Sequence, residues 1–521
     1  MSTISSSRMD ISGASSASSI AGVQVGQRDM LLLIVLLGLT FGSIYFLPIP
    51  LTRLIFLGLL VSAYWTDKYD YVWLIWFFII NDAPGRLFSG TGLYDRRIPI
   101  YPLAAGMSFS FQELFLFTYI AKVLIKKKRE SYIFLRTFRF FFIAMGIVMA
   151  YSVLIGITPS SLVAGVRSLL IWGWVIIIPF YVHKPQQLAR VSHMLFPIVF
   201  IALALQIHTF ITGNYLDYML RGRAMEFSLA VEDSDKASRA YVSVYLVLVA
   251  LCLALFYMAS KKKYFKFPNY LAGVVFCAVT TIVLSATRGW SIAFGFVIMG
   301  SLLQISKSGK IMRLFNLAIA SVIIVYILQL YFPLVRTQFE AALERFSTLE
   351  LLLSGDVTAG GTLKRIDVRG KQVMDHFYRS PIIGWGFSKH YFDHADGHVG
   401  LQNMLLNVGI IGFIYLMLLF AFLVFKTWAL SKAKEVKAVW GGAPVIFAFG
   451  LMAIFIIHGS SSQFWGFIIH FDTTDKILTI SLLLAAINAV SVGAQEEQEK
   501  EDKAAASNGA TDRNNLYYIG K

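Results

Sequence analysis

The stretch KHYFDHADGHVGLQNMLLNV at 389–408 places His390, Asp393, His394, Asp396 and His398 within nine positions. Imidazole and carboxylate groups at this density support three chemistries. They can ligate a divalent ion, a neutral histidine can act as a general base near pH 7, or the segment can be a polar loop that responds to pH. His390 and His394 stand i,i+4, but Asp393, Asp396 and Gly397 read as a loop rather than a clean helical zinc pattern. No metal is therefore expected. A second constellation is made of arginines: Arg167 in GVRSLLIWGW, Arg223 in RGRAMEF, Arg288 in LSATRGW, and Arg365 with Arg369 in LKRIDVRGK. Arginine offers planar, bidentate recognition of phosphate. Placed within or against hydrocarbon, it points to function; snorkelling to the interface is the plain alternative for Arg167 and Arg288.

The elements that must hold these groups are membrane helices. Of 521 residues, 57% are hydrophobic and 15% charged, with a mean hydropathy of +0.66, whereas a soluble domain carries roughly 25% charged residues. Apolar blocks of about 16–22 residues suit helices crossing a ~30 Å core. The expected fold is an all-α polytopic membrane protein with spans near 29–47, 51–66, 69–82, 107–125, 138–157, 163–182, 191–212, 240–259, 268–286, 289–306, 313–331, 403–425, 441–458 and 474–492. That is about fourteen by hydropathy. Residues 1–28 are rich in Ser, Gly and Ala and read as a disordered tail. Residues 493–521 read as a solvated tail. Cys252 and Cys277 lie inside apolar spans and read as small buried hydrophobes.

Lysine blocks sit at 126–129, 261–266 and 307–310, with Lys426, Lys432, Lys434 and Lys437 beyond them. All fall on one side of the span count, which the positive-inside rule makes cytoplasmic, together with both termini. The other side is not depleted of positive charge. Besides the five arginines above it holds Arg86, Arg96, Arg97, Arg221, Arg239, Arg336, Arg345 and Arg379. The division of labour, lysine inside and arginine outside, favours an anionic ligand at the outer face over loop solvation. Nothing points to nucleic acid.

The long outer loop, 332–402, lies between the eleventh and twelfth spans. Phe339, Leu343, Phe346 and Leu349 recur at helical spacing, so a first amphipathic helix is predicted within 335–353. Gly-rich 355–361 ends it. A second helix, LKRIDVRGKQVMDHFYRS, brings Ile366, Val373 and Phe377 to one face, and Pro381 with Gly384-Trp385-Gly386 stops it. His458, in HGSSSQFWG on the same side, reads as a histidine satisfied at a helix end.

This order carries a resemblance. Thr287-Arg288-Gly289 between spans, Pro381 followed by Gly384-Trp385-Gly386, then His398, Leu401-Gln402 and Gly409 with Gly412, resembles the O-antigen ligase and O-antigen polymerase superfamily of bacterial membrane glycosyltransferases. The motifs cover 280–425. One position departs: the family has Asn after the histidine and this chain has Val399.

The resemblance implies a GT-C-like fold in the bacterial inner membrane, with 332–402 periplasmic. It implies an undecaprenyl-pyrophosphate-linked oligosaccharide as donor, a glycan or lipid-linked molecule as acceptor, and room for a chain-length regulator among the partners. No cofactor is implied. In that chemistry His398 would be the base and Arg288 would stabilise the leaving pyrophosphate, assisted by Arg167, Arg223, Arg365 and Arg369. An inverting single displacement is the simplest mechanism. Polymerase is favoured over ligase. A polysaccharide transporter or flippase would instead place broken helices near mid-membrane. A peptidoglycan-polymerase type would use an outer-loop aspartate, for which Asp367, Asp375, Asp393 and Asp396 are available.

Overall fold

A chain in lipid must satisfy its backbone internally, so apolar segments of this length fold as helices. In the computed structural model of the protein, the described residues are 27–86, 98–102, 108–126, 131–212, 244–285, 288–305, 364–396, 399–461, 465 and 474–518, with scattered positions between 319 and 340. The expected helix within 335–353, most of the span at 313–331, Arg223 and His398 lie outside them.

In chain order the helices are α1 Gln27–Phe46, α2 Ile49–Trp65, α3 Asp70–Arg86, α4 Phe111–Ile125, α5 Leu135–Leu154, α6 Pro159–Ile171, α7 Trp174–Tyr181 and α8 Pro185–Thr212. They continue with α9 Val244–Ala259, α10 Pro268–Leu284, α11 Arg288–Ile305, α12 Lys364–Phe377, α13 Lys389–His394, α14 Gly400–Lys432, α15 Lys434–Trp440, α16 Val445–Ser461 and α17 Thr474–Tyr518. A two-stranded antiparallel hairpin, β1 Ile100–Pro102 and β2 Ser108–Ser110, precedes α4.

The protein is a multi-pass, predominantly α-helical membrane protein. Among the described residues, six helices are long and apolar enough to cross a bilayer, or up to eight segments if each of two bent pairs is one span. Shorter apolar helices lie at Val244–Ala259, Pro268–Leu284 and Gly289–Leu302. α9 is buried on every side from Val244 to Met258, as an all-apolar helix without a polar face must be. α7, α8, α9 and α16 pack with α17, and α11 packs on α16. The flank is formed by α5 and α14, whose Phe140, Ile143, Ile147, Ile414, Leu418 and Phe425 stand exposed to lipid.

Several sequence expectations need correction. The segments expected at 51–66 and 69–82 are helices, but they meet at 96° around Asp67–Tyr69. The span expected at 163–182 is one span, Pro159–Tyr181, with a tightened turn at Trp172-Gly173 in which both residues keep right-handed helical backbone. KHYFDH is not a loop: Ser388 accepts from the Tyr391 amide and caps a six-residue helix, α13. The solvated tail expected from 493 is exposed over Gln498–Lys503 and is helical, a continuation of α17, which runs to Tyr518. Its Ala- and Glu-rich sequence has high helix propensity.

Candidate active site at one end of the bundle

The segment Pro381-x-x-Gly384-x-Gly386 folds as one unit with the start of α14. Asn407 and Gly409 are fully buried there, and Gly409 has φ 64° and ψ −173° inside an otherwise helical run. That break strips helical partners from neighbouring peptide groups, and the turn at 381–386 replaces them. Trp385 N donates to Leu406 O at 2.9 Å and Gly386 N to Asn407 O at 2.7 Å. In return Ile410 N donates to Pro381 O at 2.9 Å, and Ile411 N to Ile382 O at 3.3 Å. The Asn407 side-chain amide donates to Gly386 O at 2.6 Å. A broken membrane helix is thus hydrogen-bonded through a loop, the condition for irregular backbone at such a place. The fit admits no side chain at two points. A Cβ at Gly409 would lie 2.3 Å from Ile382 O, and one at Gly384 2.4 Å from Gly409 N.

The same turn is held from the other side. Phe387 N donates to Ser152 Oγ at 2.7 Å, and Tyr151 donates to Gly384 O at 3.4 Å, so the end of α5 locks onto it. α6 closes in at Gly165, against Phe387. Two residues later on α6, Arg167 Nε lies 2.9 Å from Glu113 Oε1, and Nη2 donates to the Ser108 carbonyl. Glu113 is fixed by a reciprocal cap at the start of α4: Ser110 N donates to Glu113 Oε2 at 2.7 Å, and Glu113 N to Ser110 Oγ at 3.2 Å. These two bonds use Nε and Nη2 of a guanidinium that carries five N–H donors.

At the same end, Asn403 clamps the backbone of Asp396. Its Oδ1 accepts from Asp396 N at 2.9 Å and its Nδ2 donates to Asp396 O at 2.5 Å. Arg369 Nη1 reaches Asp396 Oδ2 at 3.4 Å across the loop. Val399, where the family has Asn, is fully buried. His458 is also fully buried, with Nε2 3.1 Å from Met404 Sδ and its ring against Gly400. Arg288 opens α11, and Arg365 stands in the first turn of α12; both side chains lie outside the described residues, as does all of His398. The structure brings Arg167, Arg369 and the two motif segments to one end of the bundle.

A histidine cluster occupies the loop itself. His376 Nδ1 and His390 Nε2 are 3.1 Å apart, and the His394 ring stacks on His376 at 3.6 Å with 11° between planes. The Trp385 ring lies 4.1 Å from His390, and its Nε1 donates to the His376 carbonyl at 2.9 Å. Burial, then the neighbouring His394, lowers the pKa of both His376 and His390 below the ordinary histidine value. The hydrogen bond from Lys389 lowers that of Asp393.

Sequence reasoning missed His376, Glu113 and the two asparagines. Each had a signal. His376 lies seven positions after Arg369 on an amphipathic helix, hence on the same face. SFQE at 110–113 is a capping-box pattern, and Asn403 and Asn407 stand i,i+4 in an apolar run.

No protein-family model matches the chain, and no curated protein does. Among solved structures, a chain from work on the structural coordination of polymerization and crosslinking by a peptidoglycan synthase complex matches 67% of this chain and 96% of its own length. It does so at 14% identity and a TM-score of 0.36, a likeness too low to establish fold or activity.

Proposed function

We propose that the protein is a membrane glycosyltransferase that polymerises undecaprenyl-pyrophosphate-linked oligosaccharide repeats, of O-antigen or exopolysaccharide type, at the outer face of the bacterial inner membrane. The observation that carries the reading is the interlock of the turn at 381–386 with the break of α14 at Gly409. Two of the segments that give the sequence its resemblance, the turn at 381–386 and the break of α14 at Gly409, are one hydrogen-bonded unit. They meet Arg167 and Arg369 at a single end of the bundle. The helix ends gathered there are also those that the lysine distribution assigns to the outer side.

In this reading the acceptor hydroxyl attacks the anomeric carbon of the donor. A new glycosidic bond forms as the bond to the pyrophosphate oxygen breaks. His398 takes the hydroxyl proton, and undecaprenyl pyrophosphate leaves. Arg288, with Arg167, Arg223, Arg365 and Arg369, stabilises the charge that grows on the leaving group. Inversion follows from one displacement, and no metal takes part in it. The fourteen-span, GT-C-like arrangement, with 332–402 periplasmic and both termini cytoplasmic, belongs to the same proposal.

Complementation of a polysaccharide-deficient strain tests it, scored by glycan length on gels. His398→Ala and Arg288→Ala are expected to abolish function, while His394→Ala retains it. Single-repeat glycans in the defective strain support polymerisation. Long lipid-linked chains left untransferred would mean a ligase instead, and full activity of His398→Ala would refute the base assignment.

A further inference from the structure

We propose that His376, His390 and His394 form a divalent transition-metal site, of the zinc class, that fastens α12 to α13. Their ligand nitrogens all lie within 4.8 Å of one another. Tetrahedral zinc with Zn–N distances of about 2.0–2.1 Å separates its ligands by roughly 3.3 Å, close to the 3.1 Å already found between His376 and His390. His390 and His394 present adjacent rings from one face of α13, and His376 comes from the last turn of α12. The His394 ring, stacked on His376, would have to turn out of the stack, since stacked imidazoles direct their in-plane lone pairs in parallel, before three nitrogens could surround one ion.

The donor set selects the metal. Three imidazoles suit zinc and its first-row neighbours rather than magnesium or calcium, which take oxygen. Three protein ligands leave one coordination position for water or another group. The surroundings suit it as well. Trp385 covers His390 and binds the His376 carbonyl, the kind of outer contact that fixes a ligand ring. Asp375, Asp393, Lys389 and Arg379 are the charged groups around the two histidines.

The site also answers a mechanical need. A six-residue helix cannot sustain itself; α13 is held by a serine cap, by the fully buried Tyr391 and by its packing on α12, and a metal would add to these. A metal bridge to α12 would set α13 firmly against it. The inference does not depend on the glycosyl-transfer reading, and the ion is given no step in that reaction.

The test uses the full-length protein in detergent, purified through a tag without histidine and stripped by chelator. Zinc chloride is titrated calorimetrically, and cobalt(II) is followed by its visible d–d bands. One ion per chain is expected. His376→Gln, His390→Gln and His394→Gln should each lower affinity by at least the ~100-fold that marks the top of the range for outer-contact losses, and Trp385→Phe by about 10-fold. His183→Gln, at the opposite end of the bundle, should change nothing. X-ray absorption of the zinc-loaded wild type needs no variant and should give three imidazole nitrogens at about 2.0–2.1 Å. Failure to take up zinc, binding that survives all three substitutions, or an all-oxygen shell would overturn the proposal.

Discussion

Glu113→Gln separates two roles that the structure joins in Arg167. Gln at the third helical position keeps the reciprocal cap with Ser110, so the substitution removes the ion pair and little else. The pair is partly shielded, with 29% of the Arg167 side chain and 6% of the Glu113 side chain exposed. Breaking a fully buried pair costs about 3–5 kcal/mol, and solvent at the arginine reduces this to the ~1.5–3 kcal/mol of a hydrogen bond to a charged group. Arg167→Gln should cost as much, because it leaves the Glu113 carboxylate under the hairpin. The double variant should cost less than the sum, with a coupling of about 1–2 kcal/mol. Denaturant unfolding in detergent measures all three. A coupling below about 0.5 kcal/mol would refute the clasp, since independent sites add within that margin. Glycan synthesis then tests the second role. If Arg167 also faces the donor pyrophosphate, Arg167→Gln should lose at least ~10-fold more activity than Glu113→Gln, a difference of about 1.4 kcal/mol in barrier. Equal losses would confine Arg167 to structure.

Gly409→Ala should destabilise by about 1–3 kcal/mol, because its φ and ψ lie in a region essentially restricted to glycine and its Cβ would meet Ile382 O; a lowered melting temperature with loss of glycan synthesis is the expected result. Lys122 is fully buried, donates to Ala63 O at 2.8 Å and pairs with Asp70 and Asp67. Lys122→Met should therefore cost about 3–5 kcal/mol by stranding Asp70, and adding Asp70→Asn should restore most of it in the same unfolding assay. His376 and His390 have pKa values below the ordinary ~6.5. Their packing stability is present above that value and is lost as pH falls through the lower folded values. Hydrogen exchange of metal-free protein should show 364–394 losing protection between pH 7 and pH 5, and unchanged protection would contradict the histidine cluster.

Hydropathy located nearly every helix because backbone satisfaction in lipid leaves no other solution for an apolar run. It could not place the interruptions. The 96° bend after α2 and the 100° bend between α15 and α16 depend on packing against neighbours, which an apolar count does not encode. α13 was invisible because its six residues have no apolar period, and its cap at Ser388 precedes a polar string. Among site residues, Arg167 was legible as a charge inside a span, but its engagement by Glu113 required knowing that the start of α4 packs on α6. Gly384, Gly386 and Gly409 were legible as motif glycines. That they form one backbone junction was not, since the hydrogen bonds link residues separated by a polar loop. His376 shows the same limit: three histidines on two elements become a cluster only when α12 and α13 are docked.

The most direct test reconstitutes the purified protein in vesicles with a single undecaprenyl-pyrophosphate-linked repeat and no other enzyme. Products are released by mild acid and resolved on gels. A ladder of glycans growing by whole repeats, absent with His398→Ala and unaffected by chelator in its chemical step, is the expected result. Single repeats that stay unextended, or that cross the bilayer without joining, would contradict the assignment of a lipid-linked glycan polymerase.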